Sequence, residues 1–295
     1  MARDWPTYNE ALVKRGEILL DLSLLQSWGE ELQEMSRGRE GGRYRYPDTL
    51  IKLQAHIKAA FRLPYRQLEG LTRALAEWEP RLTTPDYSTS CRRVNALDVA
   101  LEPRLDPERP VTIAVDASGI KVADRGEWVR TKWKMRRGFL KIHIAVDVET
   151  KQIVALEVTD ERTGDGVMLV PLVEQARRRC QVEGVIGDGA YDSRENFAFL
   201  EEEGIEPAIR VRKNSSRRAR GCPARREAVL EQLGDAESWK RQVGYGLRWM
   251  AETAFSSFKR LFGEHVTARS LPNMVQEMLL KASLYNLFTS LNPAE

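Results

Sequence analysis

The chain has 295 residues, 42% of them hydrophobic, and 46 Lys and Arg against 43 Asp and Glu give a formal net charge of only +3. That length builds one large domain or two smaller ones, and the near-neutral total makes no global case for a polyanionic partner. Three scattered cysteines (Cys91, Cys180, Cys222) and three scattered histidines exclude a disulfide framework and a cysteine–histidine zinc site, so any metal must be held by carboxylates.

The N-terminus lacks a basic stretch followed by an apolar run, and nothing approaches the roughly 20 apolar residues that cross a bilayer. The expectation is a soluble, intracellular protein with no membrane partner. Residues 1–108 read as helical. Leu50, Leu53, Ile57 and Phe61 repeat at helical spacing after Pro47 and Asp48. Pro64 opens a second helix carrying Leu68, Leu71 and Leu75, and Pro80 and Pro85 break the chain. A third helix follows Asp86 and runs through Arg92, Arg93, Val94 and Leu97. Three short helices, the last bearing Ser, Thr and Arg, fit a helix-turn-helix module whose last helix places Arg92 and Arg93 in the major groove. An ordinary helical bundle with surface arginines fits the same pattern.

Pro103, Pro107 and Pro110 mark a linker, dividing the chain into 1–108 and 109–295. Strands are then expected at 111–115, 141–146, 153–158, 182–186 and 207–211. Helices are expected at 165–180, at 193–203 and from Arg225 to the end. This order implies an α/β fold with a mixed five-stranded sheet covered by helices. Two cationic runs without acids break the neutral background. One, within 128–141, includes Arg136 and Arg137; the other, 210–226, includes Arg217 and Arg218. Each reads as a nucleic-acid footprint or as a solvated loop.

Three carboxylates stand out. Asp116 is expected to end the first strand, in Val-Asp-Ala-Ser-Gly, and Asp188 the fourth, in Gly-Asp-Gly-Ala-Tyr-Asp. Small neighbours leave room for ions and a phosphate backbone, although Asp is also a common turn residue. Tyr245, Arg248, Glu252 and Lys259 fall within an arc of roughly 60° at 100° per residue. Leu247, Ala251, Ala254, Phe255, Phe258, Leu261 and Phe262 fill the far side. Three acids of this kind can hold two divalent ions about 3.5–4 Å apart, which serve phosphodiester cleavage. Hard oxygen ligands favour Mg²⁺ or Mn²⁺. In this reading Asp116 bridges both ions, while Asp188 completes one site and Glu252 the other. Arg248 and Lys259 grip phosphates, and Tyr245 bonds the backbone.

The spacing Tyr245-x2-Arg248-x3-Glu252-x6-Lys259 resembles the signature of DDE transposases from bacterial and archaeal insertion sequences. Val115 to Gly119 and Gly187 to Asp192 resemble their two aspartate motifs. Trp5-x2-Tyr8-Asn9, Arg15-Gly16, Leu63 to Gln67 and Pro85 to Thr89 resemble the N-terminal region of the insertion-sequence-five family. The resemblance implies a ribonuclease-H-like catalytic core, catalysis at Asp116, Asp188 and Glu252, and DNA cleavage followed by strand transfer. It also implies binding to terminal inverted repeats and target duplex DNA, a homodimer or larger synaptic complex, and a prokaryotic, nucleoid-associated cytoplasmic setting. Some relatives insert a large β-rich segment before the catalytic helix. Here only about 33 residues (212–244) separate the last expected strand from Tyr245, so the resemblance does not by itself imply hairpin-forming chemistry. A nuclease without strand transfer, and a silent DNA-binding descendant, remain the alternatives.

Overall fold

The computed structural model describes residues 4–38, 40–122, 139–218 and 221–291. Five helices come first: α1 (Trp5–Ile18), α2 (Leu24–Met35), α3 (Asp48–Phe61), α4 (Tyr65–Trp78) and α5 (Tyr87–Val94). The last three match the expected helices, and their caps explain their starts. Asp86 accepts hydrogen bonds from the Ser88 and Thr89 amides at 2.9 and 2.8 Å, satisfying donors that a helix N-terminus leaves open. Glu69 of α4 accepts the Tyr87 amide at 2.8 Å. A buried polar chain joins the three helices. Ser90 donates to Gln54 at 3.0 Å, Gln54 donates to Thr72 at 3.1 Å, and Thr72 donates to the Leu68 carbonyl at 2.9 Å.

The strands are β1 (Val111–Val122), β2 (Phe139–Asp147), β3 (Ile153–Asp160), β4 (Val182–Gly187), β5 (Glu206–Ile209) and β6 (His265–Val266). They form one mixed sheet in the order β3-β2-β1-β4-β5, with β6 pairing β1 near Val122. β1, β2 and β3 are antiparallel neighbours, whereas β4 and β5 run parallel to β1. Two features differ from the sequence expectation. The sheet gains a sixth strand of two residues, too short to leave a pattern. Asp116 does not end β1: the strand loses β4 after Ala114 but keeps β2 as far as Lys121, so it continues.

Between the strands lie a 3-10 turn (Asp165–Met168), α6 (Leu169–Arg177) and α7 (Arg194–Glu202). After β5 come α8 (Pro223–Gly234), α9 (Ala236–Gln242), a 3-10 turn (Tyr245–Arg248), α10 (Trp249–Phe262) and α11 (Leu271–Thr289). Strand alternation sorts the cores onto two faces. Ile120, Ile142, Ile144 and Val146 pack with Phe255, Phe258 and Phe262 of α10 and Met278 of α11. Ile113, Val115 and Val185 pack with Leu172 of α6, Phe197 of α7 and Val229 of α8. The outer edge of β3 is covered by side chains: Gln175 accepts the Leu156 amide at 2.6 Å, and Asn286 accepts that of Ile153 at 2.8 Å. Leu19 and Ala59 of the leading helices join the α10–α11 core. No described helix is long and apolar enough to cross a membrane.

Candidate active site

The parallel register of β1 and β4 decides where two of the acids stand. Ala114 pairs with Ile186, and continuing that register by two residues sets Asp116 beside Asp188. Adjacent strands lie about 4.8 Å apart, so both carboxylates emerge at the point where the pairing ends. Gly187 makes this approach possible: a Cβ there would lie 3.1 Å from Tyr191 Cδ2 and 3.3 Å from Val115 Cγ2. Each aspartate is steadied by a nearby backbone amide, in the strand for Asp116 and in the following loop for Asp188. Asp116 Oδ1 accepts the Ala117 amide, and Asp188 Oδ1 accepts the Ala190 amide, both at 2.8 Å.

Glu252 arrives from α10, which covers the face of the sheet that carries Asp116. An open cleft of about 540 Å³ is lined by Asp116, Ser118, Glu252, Lys259, Arg260 and Glu264. Burial raises the Asp116 pKa, and the charges of Asp188 and Glu252 push the same way. The Ala117 amide and Arg248 oppose them. The three acids therefore share one field. The Glu252 carboxylate is bound to the Arg248 guanidinium one turn earlier. Burial works against the Arg248 charge, but the bond to Glu252 and the charges of Glu252 and Asp116 outweigh it.

Among the described residues no three acidic, histidine or cysteine side chains converge tightly enough to hold a single ion. A pair of ions asks for less. Hard divalent cations commonly take few carboxylates and keep water for the rest, so these acids could hold them. The all-oxygen donor set and the juxtaposed aspartates would suit such ions, while Glu252 is held by Arg248.

The signature helix is not continuous. Gly244, at φ 61°, starts a separate 3-10 turn, and α10 begins only at Trp249. Leu247, expected on the buried side, is therefore 38% exposed, because the turn rotates it away from the apolar stripe. Tyr245 is buried, its ring centroid 5.1 Å from that of Trp239. Burial raises its hydroxyl pKa, which also feels Arg248, Arg210, Asp188 and Asp116.

The other expected DNA contacts are dispersed. Arg92 is exposed on α5 and lies 3.2 Å from Thr89 Oγ1. Arg93 is spent within the helical region, 2.6 Å from Asp48 and stacked on Tyr44. Arg136 and Arg137 lie outside the described residues. Arg217 donates to the Leu233 carbonyl at 3.4 Å. Arg218 lines a cleft of about 510 Å³ with Arg194, Arg212, Asn214, Ser215 and Arg225. Its floor is the buried Asp192, gripped by Arg225 at 2.6 and 2.9 Å and by the Arg212 amide at 2.9 Å. Sequence reading missed Arg194, which lies outside both cationic runs, and the structural duty of Arg225. The Asp192 in the second aspartate motif was the available signal.

A family model described as the transposase DDE domain matches residues 107–287, and a second model of the same description matches residues 13–125. Among solved structures, the piggyBac transposase synaptic complex with hairpin DNA is similar at 10% identity and a TM-score of 0.41, over 94% of this chain and 74% of that one. The Drosophila P element transposase strand transfer complex is similar at 13% identity and a TM-score of 0.33, over 63% of this chain and 42% of that one. The Mos1 strand transfer complex is similar at 11% identity and a TM-score of 0.25, over 74% and 79%.

Proposed function

The chain belongs to the DDE transposase family of insertion-sequence type, and from that membership we propose that Asp116, Asp188 and Glu252 are its catalytic and metal-binding residues, acting on the terminal inverted repeats of its own element. The family activity is metal-dependent DNA cleavage and transfer. The observations that support the assignment are the β1–β4 register, whose continuation sets Asp116 beside Asp188, and the cleft that Asp116 and Glu252 line together.

Mg²⁺ or Mn²⁺ would be held by these three carboxylates and would supply a more acidic nucleophilic water and charge neutralisation at the phosphorus. The chain's own groups do the rest. Asp116 and Asp188 sit on strand backbone and a tight loop, so their positions are set before substrate arrives. Arg248 moves from Glu252 to a phosphate oxygen as DNA enters, which frees the carboxylate where it is needed. Lys259, one helical face along, neutralises a neighbouring phosphate. The Tyr245 ring braces the turn that carries Arg248 and directs its hydroxyl toward the acids.

Arg194, Arg212 and Arg218 form a phosphate cradle beside the Asp188 loop, to which Arg212 is tied by a 3.2 Å bond to the Gly189 carbonyl. Residues 1–108 act as the DNA-end-binding region, with α5 and Arg92 facing the duplex, and 109–295 as the catalytic region. Two or more copies pair the element's ends in a cytoplasmic, nucleoid-associated complex. Glu252→Gln keeps the shape of the side chain and removes its charge. It is expected to bind inverted-repeat DNA as the parent does and to lose cleavage in Mg²⁺ by at least a hundredfold. Retained cleavage would remove Glu252 from the site.

A further inference from the structure

The end of α10 leads away from the catalytic cleft and meets the helical region. Two residues of positive φ come together there. Gly263, at φ 78°, ends α10, and Arg62, at φ 55°, ends α3. A Cβ on Gly263 would lie 3.1 Å from Arg62 Cζ, so the Arg62 guanidinium lies against the backbone where α10 stops. Glycine or asparagine is the usual residue at a left-handed helix end, because a larger side chain strains that conformation. Arginine holds the position at a cost, so its side chain needs a reason to be there.

The junction is fixed by contacts on both sides. Ala59 of α3 joins the α10–α11 core. Gln276 of α11 donates to the Val94 and Leu97 carbonyls at 3.1 and 2.8 Å, and Asn286 donates to the Leu101 carbonyl at 3.0 Å. Several cations gather here, and their partners sort them. Lys281 is buried and consumed by Glu277 at 2.7 Å and the His265 carbonyl at 3.0 Å. Lys58 lies over the Tyr65 ring at 5.0 Å. Arg62 and Arg260 are exposed and Lys259 is half-buried, and none of the three enters an ion pair among the described residues. Lys259 and Arg260 line the cleft together with Asp116 and Glu252, and Glu264 is a further acid on its wall. At roughly 1.5 Å per residue, Lys259 stands about 10 Å along α10 from Glu252, and Gly263 about 16 Å. One strand of duplex DNA carries a phosphate about every 3.4 Å of its axis. The three cations therefore match a run of about five phosphates that starts at the acids.

We propose that Arg260 and Arg62 continue the phosphate contact of Lys259 out of the cleft, forming a track on which α10 and the helical region of one copy grip the same stretch of DNA backbone beside the scissile bond. Arg62 thereby makes the helical region part of the substrate path of the catalytic cleft. The contacts are to phosphate oxygens, so they position the strand and read no sequence. The inference rests on the reading that DNA enters the cleft lined by Asp116 and Glu252.

The test is binding of the full-length protein to a duplex carrying the element's terminal repeat, read by fluorescence anisotropy across a salt series, together with thermal melting. Arg62→Asn removes the guanidinium and suits the left-handed backbone better than arginine does, so it is expected to melt no lower than the parent. Arg260→Gln changes an exposed side chain and should melt with the parent. Each is expected to flatten the slope of log affinity against log salt by about 0.9, the loss of one phosphate contact. Lys52→Gln removes an α3 cation that is paired with Glu102 at 3.2 Å, and it should leave the slope unchanged. An unchanged slope in Arg62→Asn or in Arg260→Gln would overturn the track, as would equal flattening by Lys52→Gln. A lowered melting temperature with an unchanged slope would make Arg62 a cap for α10 and nothing more. Lys259→Gln separates two failures. If it too leaves the slope unchanged, DNA does not enter the cleft and the reading beneath the proposal fails. If it flattens the slope while Arg62→Asn and Arg260→Gln do not, only the track fails.

Discussion

Asp116 is pulled in two directions. Burial and two like-charged neighbours disfavour its ionised form, while the Ala117 amide and Arg248 favour it. A divalent cation bound at Asp116, as proposed, would settle that competition. Charge burial elsewhere has a cost in acid. His56 and His143 are buried, and desolvation lowers each to about 4, with Lys52 adding to the effect at His56 and Lys141 at His143. Both are neutral in the fold, whereas an unfolded histidine takes its proton near 6.5. Between about pH 6.5 and pH 4 the unfolded chain therefore binds more protons, and stability falls as pH falls through that window. Melting temperature is expected to be flat above pH 7 and to drop steadily toward pH 4. His56→Gln should shrink the drop, and a drop of unchanged size would show that His56 does not contribute.

At the scale of elements, β1 does two jobs in sequence. Its first residues pair with β4 in the core of the sheet, and its later ones form a ribbon with β2 that carries the wall of the cleft. Asp116 marks the change. Gly187 ends β4 beneath the same point, and any side chain there meets Tyr191 and Val115. Gly187→Ala is therefore expected to destabilise the protein by about 1–3 kcal/mol, the usual cost of overfilling a packed site. It should also reduce cleavage, because the strain falls on the residues that precede both aspartates. Denaturant midpoints with an unchanged slope would measure the first effect. A neutral substitution would mean that the Tyr191 ring yields to the added methyl group. The start of α10 follows the same logic of breaks. Gly244 adopts a left-handed conformation that an ordinary residue resists, and it breaks the chain just before the signature, whose first four residues form a 3-10 turn that leads into α10.

For the whole molecule, charge is organised locally although the total is small. Arg194, Arg212 and Arg218 open onto one cleft, while Arg225 is consumed by Asp192 and Arg217 points to the Leu233 carbonyl. Binding of inverted-repeat DNA should follow this division. Each lost phosphate contact lowers the slope of log affinity against log salt by about 0.9. Arg194→Gln and Arg218→Gln are expected to reduce the slope by about one each, and Arg217→Gln to leave it nearly unchanged. Equal effects at all three positions would show that the field of the segment, and not the cleft, governs binding.

Helical spacing, proline breaks and Asx caps made α3, α4, α5 and α10 legible in the sequence, and the alternation of strands and helices implied the mixed sheet. Residue type and spacing also singled out the three acids proposed as catalytic. Other features needed the tertiary structure, because they depend on residues distant in the chain meeting at a set offset. The two-residue continuation of the β1–β4 register brings Asp116 to Asp188. The buried hydroxyl of Tyr191 lies in the field of Asp116, Asp165 and Asp188, which come from three separate segments. The capture of Arg225 and Arg93 by Asp192 and Asp48 removes two cations that look available in the sequence. A linear pattern encodes which face of its own element a residue occupies, but the partner across the gap is chosen by packing alone.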